Sequence, residues 1–328
     1  MQSETSPSIS IVIPTYCRRQ LVCDTVANLD ALAEPGPCEI IVVVDGSNDG
    51  TAQALHKVSC RYPVHVIEQD NRGAAAARNE GARHARGDAI LFMDDDMICD
   101  PGAMEHLRTT LSKGADAVIG QLVADDEMPD NFLTRQIRDR LALAAQATPD
   151  DETVRDPFDV VTMDLLVRRE VFEKLGGFDE SFTRGGMFSC EDVDFAIRLI
   201  DDYDLRRNQH ALFGIRYHVS PQQLMKRASM TGRADRRFSR IHPRYADRLL
   251  AATSRQERMH RLLYRPLGHL PVLPALMGKL AVLSTMIDRQ GRSPAQIVPR
   301  LYSAAWKVNY WSGFLRSAEA GRAKGIAK

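Results

Sequence analysis

The run Glu39-Ile-Ile-Val-Val-Val-Asp45 constrains the fold more than any other stretch of this chain. Its five consecutive β-branched residues favour a strand and leave no face polar enough for water. A strand that is dry on both faces belongs inside a sheet covered by helices on both sides. The flanking sequence supplies those helices. Ser10–Ile13 is a shorter apolar run, followed by helical spacing over Leu21–Leu32 and a break at Pro35-Gly36-Pro37. The alternation then continues with a helix over Gly50–Cys60, a strand over Val64–Glu68 and a helix over Ala74–Ala85. A strand over Asp88–Met93 and a helix over Pro101–Ser112 complete it, with Pro101 in the first turn. Strand–helix repeats with short links give a doubly wound α/β layer, with a mixed, mostly parallel sheet. Beyond residue 125 the pattern loosens: helix over Asn131–Ala147, strand over Asp159–Leu166, and helices over Arg168–Leu175 and Cys190–Asp202.

Charge divides the chain. Its 43 basic and 43 acidic side chains cancel, yet residues 1–205 carry an acidic excess of nineteen and residues 206–328 an equal basic excess. A single core stops growing near ~250–300 residues, so a domain plus an appendage is expected. The expected organisation is an α/β domain over 1–205, with halves at about 8–124 and 125–205, and a basic, mostly helical region over 206–328. That region has three candidate uses: packing against the acidic half, holding an anionic lipid surface, or forming a solvated helical face. No nucleic-acid motif accompanies the charge, so nucleic acid is not expected as a partner.

Six scattered cysteines without a CxxC pair suit a reducing compartment, and Met1–Ser10 reads as polar rather than as an export signal. Leu270–Ile287 approaches the length of a membrane span but contains Pro271, Pro274, Gly278 and Lys279. A buried or interfacial segment fits it better. The expectation is a cytoplasmic protein, with peripheral contact at the inner face of the membrane as one use of its basic region.

In such sheets ligands bind at the carboxyl ends of the strands. Here those ends give Pro14-Thr15-Tyr16, then Asp45-Gly46-Ser47-Asn48-Asp49-Gly50, then Asp70-Asn71-Arg72-Gly73, then Asp94-Asp95-Asp96. Three adjacent carboxylates repel one another unless a positive group sits among them, and a hard divalent cation, Mg2+ or Mn2+, takes oxygen ligands. A phosphate-cradling GxxxxGK[ST] loop is missing, and no GxGxxG follows the first strand. What remains is a metal-dependent nucleotide site built from strand-end carboxylates, or a solvated acidic turn.

These strings carry a resemblance. Ile11-Val-Ile-Pro-Thr-Tyr16, Val43-Val-Asp-Gly-Ser-Asn-Asp-Gly-Thr51, Asn71-Arg-Gly-Ala-Ala-Ala-Ala-Arg-Asn79 and Phe92-Met-Asp-Asp-Asp96 resemble glycosyltransferase family 2, of the GT-A fold. Leu175-Gly-Gly-Phe-Asp179 and Glu191-Asp-Val-Asp194 continue it, so it covers roughly residues 8–200 in the family's order. Two positions depart: Cys17 stands where the family usually has Asn, and Val44 where it has the first Asp of a pair. The resemblance implies a metal-dependent, inverting transfer from a nucleoside-diphosphate sugar, a UDP-sugar as first choice. The acceptor would be a saccharide, lipid-linked or small-molecule hydroxyl, in polysaccharide, glycolipid or glycoconjugate biosynthesis. It further implies that Asp45 contacts the nucleobase, with Pro14, Thr15, Tyr16 and Arg18 around the nucleotide. Asp94, Asp95 and Asp96 match the D-x-D element, Asp96 as the direct metal ligand with Asp94 beside it. Arg78 would steady the diphosphate or form an ion pair. Asp192 takes the general-base position and Glu191 acceptor binding, with Arg184–Met187 lining the acceptor cleft. His218 is an additional metal ligand or an ordinary histidine. Two other classes compete: a sugar-phosphate nucleotidyltransferase, for which Pro14–Arg18 lacks the glycine-rich loop, and a non-catalytic nucleotide-binding scaffold. Tyr302, Trp306, Tyr310, Trp311 and Phe314 fall mostly at helical spacing and read as packing residues.

Overall fold

The computed structural model describes residues 6–32, 38–129, 132–147, 152–185, 187, 189–216, 220–250, 262–270, 272–288 and 297–325. Eight strands form one mixed sheet: β1 (Ile9–Thr15), β2 (Glu39–Asp45), β3 (Val64–Gln69), β4 (Ala89–Phe92), β5 (Met97–Cys99), β6 (Ala117–Ala124), β7 (Leu165–Arg168) and β8 (Leu205–Ile215). Their order is β3-β2-β1-β4-β7-β6-β8-β5. β3, β2, β1 and β4 run parallel, whereas β7 opposes both β4 and β6.

Strand β2 behaves as its composition demands. Ile40, Val42 and Val44 point into one buried cluster, and Ile41 and Val43 into the other. One cluster includes residues of α1 (Arg19–Asp30), α2 (Thr51–Leu55) and α4 (Ala103–Ser112); the other includes residues of α3 (Ala74–His84), α6 (Arg169–Lys174) and α7 (Glu191–Asp202). Each such side chain removed from water contributes about 1.5–3 kcal/mol, so the two-sided burial of β2 anchors the sheet. Helix α5 (Phe132–Ala147) packs on β6.

Several boundaries differ from those read off the sequence. The helix over Gly50–Cys60 ends at Leu55. The strand over Asp159–Leu166 begins only at Leu165, because Pro157–Asp159 closes into a 3-10 turn whose Asp156 side chain accepts the Phe158 N–H at 3.0 Å. Strand β6 escaped the apolar pattern because Gly120 and Gln121 interrupt it, and there the pairing with β8 shifts register. Glycine is needed at that bulge: a Cβ at 120 would lie 2.6 Å from the Ala211 carbonyl oxygen and 2.7 Å from the Phe213 ring. Strand β5 is only three residues long, too short for any period.

The chain divides into two compact units. The first, Met1–Glu180 with Glu191–His218, holds the whole sheet. Strand β8 starts where the charge balance changes, at residue 205, and the unit containing it extends to 218. The second unit comprises Ser181–Cys190 and Val219–Lys328. Its described helices are α8 (Pro221–Ile241), α9 (Pro243–Leu250), α10 (Leu273–Asp288) and α11 (Ile297–Gly325), with a further helical turn in 262–267. Two prolines of this region start helices instead of breaking them. Pro221 opens α8 behind a capping box in which Ser220 and Gln223 satisfy each other's backbone N–H groups, and Pro243 opens α9. Tyr302, Tyr310, Trp311 and Phe314 are buried within the unit, as packing residues should be. Asp235 of α8 is buried there too, accepting from the Tyr310 hydroxyl at 2.8 Å and the Cys190 thiol at 3.2 Å; burial raises its carboxyl to about 6. None of the six cysteines forms a disulfide.

The bulge at Gly120 gives a direct test of the packing. Gly120→Ala should destabilise the protein by roughly 1–3 kcal/mol through overpacking against backbone and ring. Urea denaturation followed by circular dichroism measures this, and an unchanged midpoint would contradict the close approach.

Candidate active site

Because β1 to β4 run parallel, the residues that follow them share one edge of the sheet. Asp45 ends β2 with a carboxylate that is 4% exposed. It accepts from the Gln69 side-chain amide at 2.6 Å, the Arg72 N–H at 2.8 Å and the Gly73 N–H at 2.9 Å. A carboxylate offers about four acceptor sites, so Asp45 organises the 69–73 loop and keeps one site for a further donor. Tyr16 follows β1 and is 54% exposed, a free aromatic plate, with Pro14 half-buried two residues before it. Cys17 has a left-handed backbone, φ 52°, a conformation Asn tolerates better than Cys, which accounts for the residue type expected there. Its N–H donates to Ser47 Oγ at 2.8 Å, and Arg19 N–H to Asp49 at 3.2 Å, tying the first two strand-end loops together.

Two guanidinium groups, the half-buried Arg18 and the buried Arg78, organise the acidic turn after β4. Arg18 Nη1 lies 2.5 Å from Asp95 and 3.0 Å from Asp96. The buried Thr15 hydroxyl donates to the other Asp95 oxygen at 2.7 Å. Arg78 of α3 lies 2.8 Å from Asp94 and 3.1 Å from Glu191 at the start of α7. Burial opposes both cations, but the surrounding carboxylates outweigh it and hold Arg18 and Arg78 firmly charged. Burial, and then the neighbouring Asp96, raise Asp95 to about 6. Part of the Asp192 surface reaches solvent, yet the protein atoms packed around it, and Glu191 beside it, raise its carboxyl to about 7. Two buried atoms here have no partner: Arg78 Nε and Glu191 Oε2. Unsatisfied buried polar atoms are rare and call for an explanation, and a bound polar ligand is one.

The rest of the strings that carry the resemblance serves this arrangement. Asn79 pairs with the backbone of Phe178, donating to its carbonyl at 2.9 Å and accepting from its N–H at 2.9 Å. Gly177 adopts φ 72°, and a Cβ there would meet Asn79 Oδ1 at 2.7 Å, which explains the Gly-Gly before Phe178. Asp194 holds Arg198 at 2.8 Å, and Arg198 in turn donates to the carbonyls of Leu175 and Gly177. Beneath them Phe92, Phe172, Phe178 and Phe195 pack ring on ring, with Arg78 over Phe178 at 6.0 Å. The structure thus unites Asp94, Asp95, Asp96, Arg18, Thr15, Arg78 and Glu191 in one network. Sequence reasoning gave no role to Asn79, Asp194 or Arg198, although the first two stand inside the strings that carried the resemblance and Arg198 follows the last of them by one helical turn. It also passed over Asp164, a buried carboxylate just before β7 with an unpartnered Oδ1, raised by burial to about 7. A charged residue directly before the apolar Leu165–Val167 was the available signal. His218 lies outside the described residues, as does Gly186 of the Arg184–Met187 segment, which itself belongs to the second unit.

Among the described residues, no three His, Cys, Asp or Glu side chains converge into a ready metal cage. Mg2+ and Mn2+ do not need one, since one or two carboxylates plus substrate phosphate oxygens suffice. The donor set fits such an ion. Five carboxyl groups (Asp94, Asp95, Asp96, Glu191 and Asp192) face two guanidiniums, and Asp94 keeps 30% of its side chain accessible.

Comparison with known proteins agrees with this geometry. Residues 10–176, half of the chain, match the model of the family Glycosyl transferase family 2. An uncharacterised glycosyltransferase of Bacillus subtilis, YwdF, is 31% identical over 203 residues, 61% of this chain and 70% of that protein. A dolichol-phosphate mannosyltransferase of Pyrococcus furiosus is 28% identical over 169 residues, 50% of this chain but only 47% of the relative. The chain thus spans about half the length of that relative. Among solved structures, a Pyrobaculum calidifontis mannosyltransferase in complex with GDP-Man and Mn2+ superposes with a TM-score of 0.58 at 15% identity, covering 95% of this chain and 88% of that one. Residues 1–349 of S. aureus TarS in complex with UDP-GlcNAc superpose at 0.54 and 16% identity, covering 96% and 92%. The structural likenesses establish the fold, the sequence matches establish the kinship, and the chain belongs to glycosyltransferase family 2 with a GT-A-type mixed α/β sheet.

Proposed function

We propose that this chain transfers a sugar from a nucleoside-diphosphate sugar to an acceptor hydroxyl, with inversion and with Mg2+ or Mn2+ as cofactor. The observation that carries the reading is the Arg78 bridge. One buried guanidinium joins a carboxylate of the strand-end turn to one at the start of α7, and leaves a polar atom of each α3 and α7 partner unsatisfied. Groups suited to a diphosphate and groups suited to a hydroxyl therefore belong to one network. The nucleotide-sugar complexes of the two structural neighbours support the same donor class.

In this reading Asp45 uses its remaining acceptor site for an N–H edge of the base, which both uracil and guanine present, and Tyr16 stacks on the ring. Asp96 and Asp94 would hold the divalent ion, which when bound supplies Lewis-acid neutralisation of the departing diphosphate. Arg18 and Arg78 are already placed beside that turn and stabilise the negative charge that develops there. Asp192 takes the proton of the acceptor hydroxyl as its oxygen attacks the anomeric carbon. The bond from that carbon to the diphosphate breaks on the opposite face, so an α-linked donor yields a β-linked product. A carboxyl raised to about 7 is well matched to a base that must accept and then release a proton near neutrality. The unpartnered Glu191 oxygen accepts from an acceptor hydroxyl of a saccharide, lipid-linked or small-molecule substrate.

Incubation with Mn2+ and a panel of UDP- and GDP-sugars should release nucleoside diphosphate in the presence of acceptor. Pyrophosphate release would instead indicate a nucleotidyltransferase, and tight nucleotide binding without turnover on any donor a scaffold. Asp192→Asn should keep calorimetric binding of the Mn2+–nucleoside diphosphate and lose roughly 10²–10⁴-fold in transfer. A fully active variant would remove Asp192 from the role of base. The base must be ionised to act, so kcat/KM should rise as pH increases through about 7. A flat profile across that interval would contradict the assignment.

A further inference from the structure

Helix α10 has no polar face. Its sequence Leu273-Pro-Ala-Leu-Met-Gly-Lys-Leu-Ala-Val-Leu-Ser-Thr-Met-Ile-Asp288 contains one cation, Lys279, and no other charge before Asp288. Pro274, Gly278 and Ala281, spaced four and three residues apart, are buried within the helical unit. The opposite stripe is no more polar: Leu276, Leu280 and Leu283 are 51%, 55% and 53% exposed, and Leu270 and Val272 just before the helix are 48% and 70% exposed. Single exposed leucines need no explanation, but a contiguous stripe on a helix that is apolar all round does. Water is a poor neighbour for it.

We infer that this stripe is a membrane-docking face, which lies in the interface of an anionic lipid leaflet. Three observations choose this occupant. The helix is too short to cross: sixteen residues span about 24 Å against a hydrocarbon core of about 30 Å, and no described helix is long and apolar enough to cross a membrane. Charge complements the partner, because residues 206–328 carry the basic excess of nineteen. Finally, a cleft of about 460 Å³ beside α10 is lined by apolar Met225, Pro274, Val282 and Leu283 together with Lys226 and Lys279. That lining suits an amphiphile with an anionic head. Leucines in the interface supply the apolar term and the lysines an electrostatic one near anionic lipid. The arginines of α8 contribute less than their number suggests, since Arg236 stacks on Phe314 at 5.2 Å and Arg237 on Phe182 at 5.6 Å. The inference does not depend on the transfer chemistry proposed above.

Vesicle sedimentation of the full chain tests it. The protein should sediment with vesicles containing phosphatidylglycerol more than with phosphatidylcholine alone, and less at high salt. The triple variant Leu276→Ser, Leu280→Ser, Leu283→Ser should bind at least about tenfold more weakly while keeping the circular dichroism of the parent. Lys226→Glu with Lys279→Glu should weaken only the phosphatidylglycerol-dependent part. In case the triple variant loses its fold, Leu280→Trp provides an independent readout, with emission shifting to shorter wavelength on phosphatidylglycerol vesicles. Failure of the parent chain to sediment with either vesicle would overturn the inference. So would a dimer in light scattering that the triple variant dissociates, because a second copy would then cover the stripe.

Discussion

The buried guanidinium of Arg78 is the contact on which the site depends. Like charges crowd the strand ends, and three consecutive carboxylates cannot stay ionised in a dry environment without opposite charge nearby. Arg78 spans Asp94 and Glu191, and Arg18 spans Asp95 and Asp96, so four of the five carboxyl groups have a cation within 3.1 Å. Removing one partner of such a buried pair leaves a charge uncompensated, at a cost of about 3–5 kcal/mol. The web therefore fixes where the carboxylates stand before any ligand arrives. Two guanidiniums do not balance five carboxyl groups, so the cluster keeps an acidic excess.

The surrounding structure serves that web. Two-sided burial of β2 sets the sheet, and the parallel course of β1 to β4 brings their polar ends to one edge. Asn79 sits next to Arg78 and clips the Gly176-Gly177 turn to α3, while Asp194 and Arg198 hold the same turn from α7. These contacts link the two helices that carry Arg78 and Glu191.

Much of this was legible in the sequence, for identifiable reasons. Elements dominated by a period or by uniform burial, such as β2, α1, α3 and α4, declared themselves through hydrophobicity alone. The strand-end aspartates stood out because apolar runs led into them. Two strands did not show, each for a different reason: β6 because a bulge at Gly120 breaks its pattern, and β5 because it is three residues long, while β8 was legible only as a strand leading into Arg216. The pairing of Arg18 with Asp95 and Asp96 spans 77 and 78 residues, and that of Arg78 with Glu191 spans 113. No local pattern reports contacts at such separations. Asp164 was overlooked because a carboxylate before a strand usually sits in water, and only the sheet reveals that it is buried.

One guanidinium at position 78 holds Asp94 of the strand-end turn and Glu191 of α7 together. The decisive measurement is sugar transfer by Arg78→Lys with whichever donor the parent chain uses. A lysine keeps the positive charge but lacks the planar fork that reaches two carboxylates at once. The variant should fold with the parent's circular dichroism and transfer sugar more slowly by roughly a hundredfold or more. Transfer at the parental rate would contradict it.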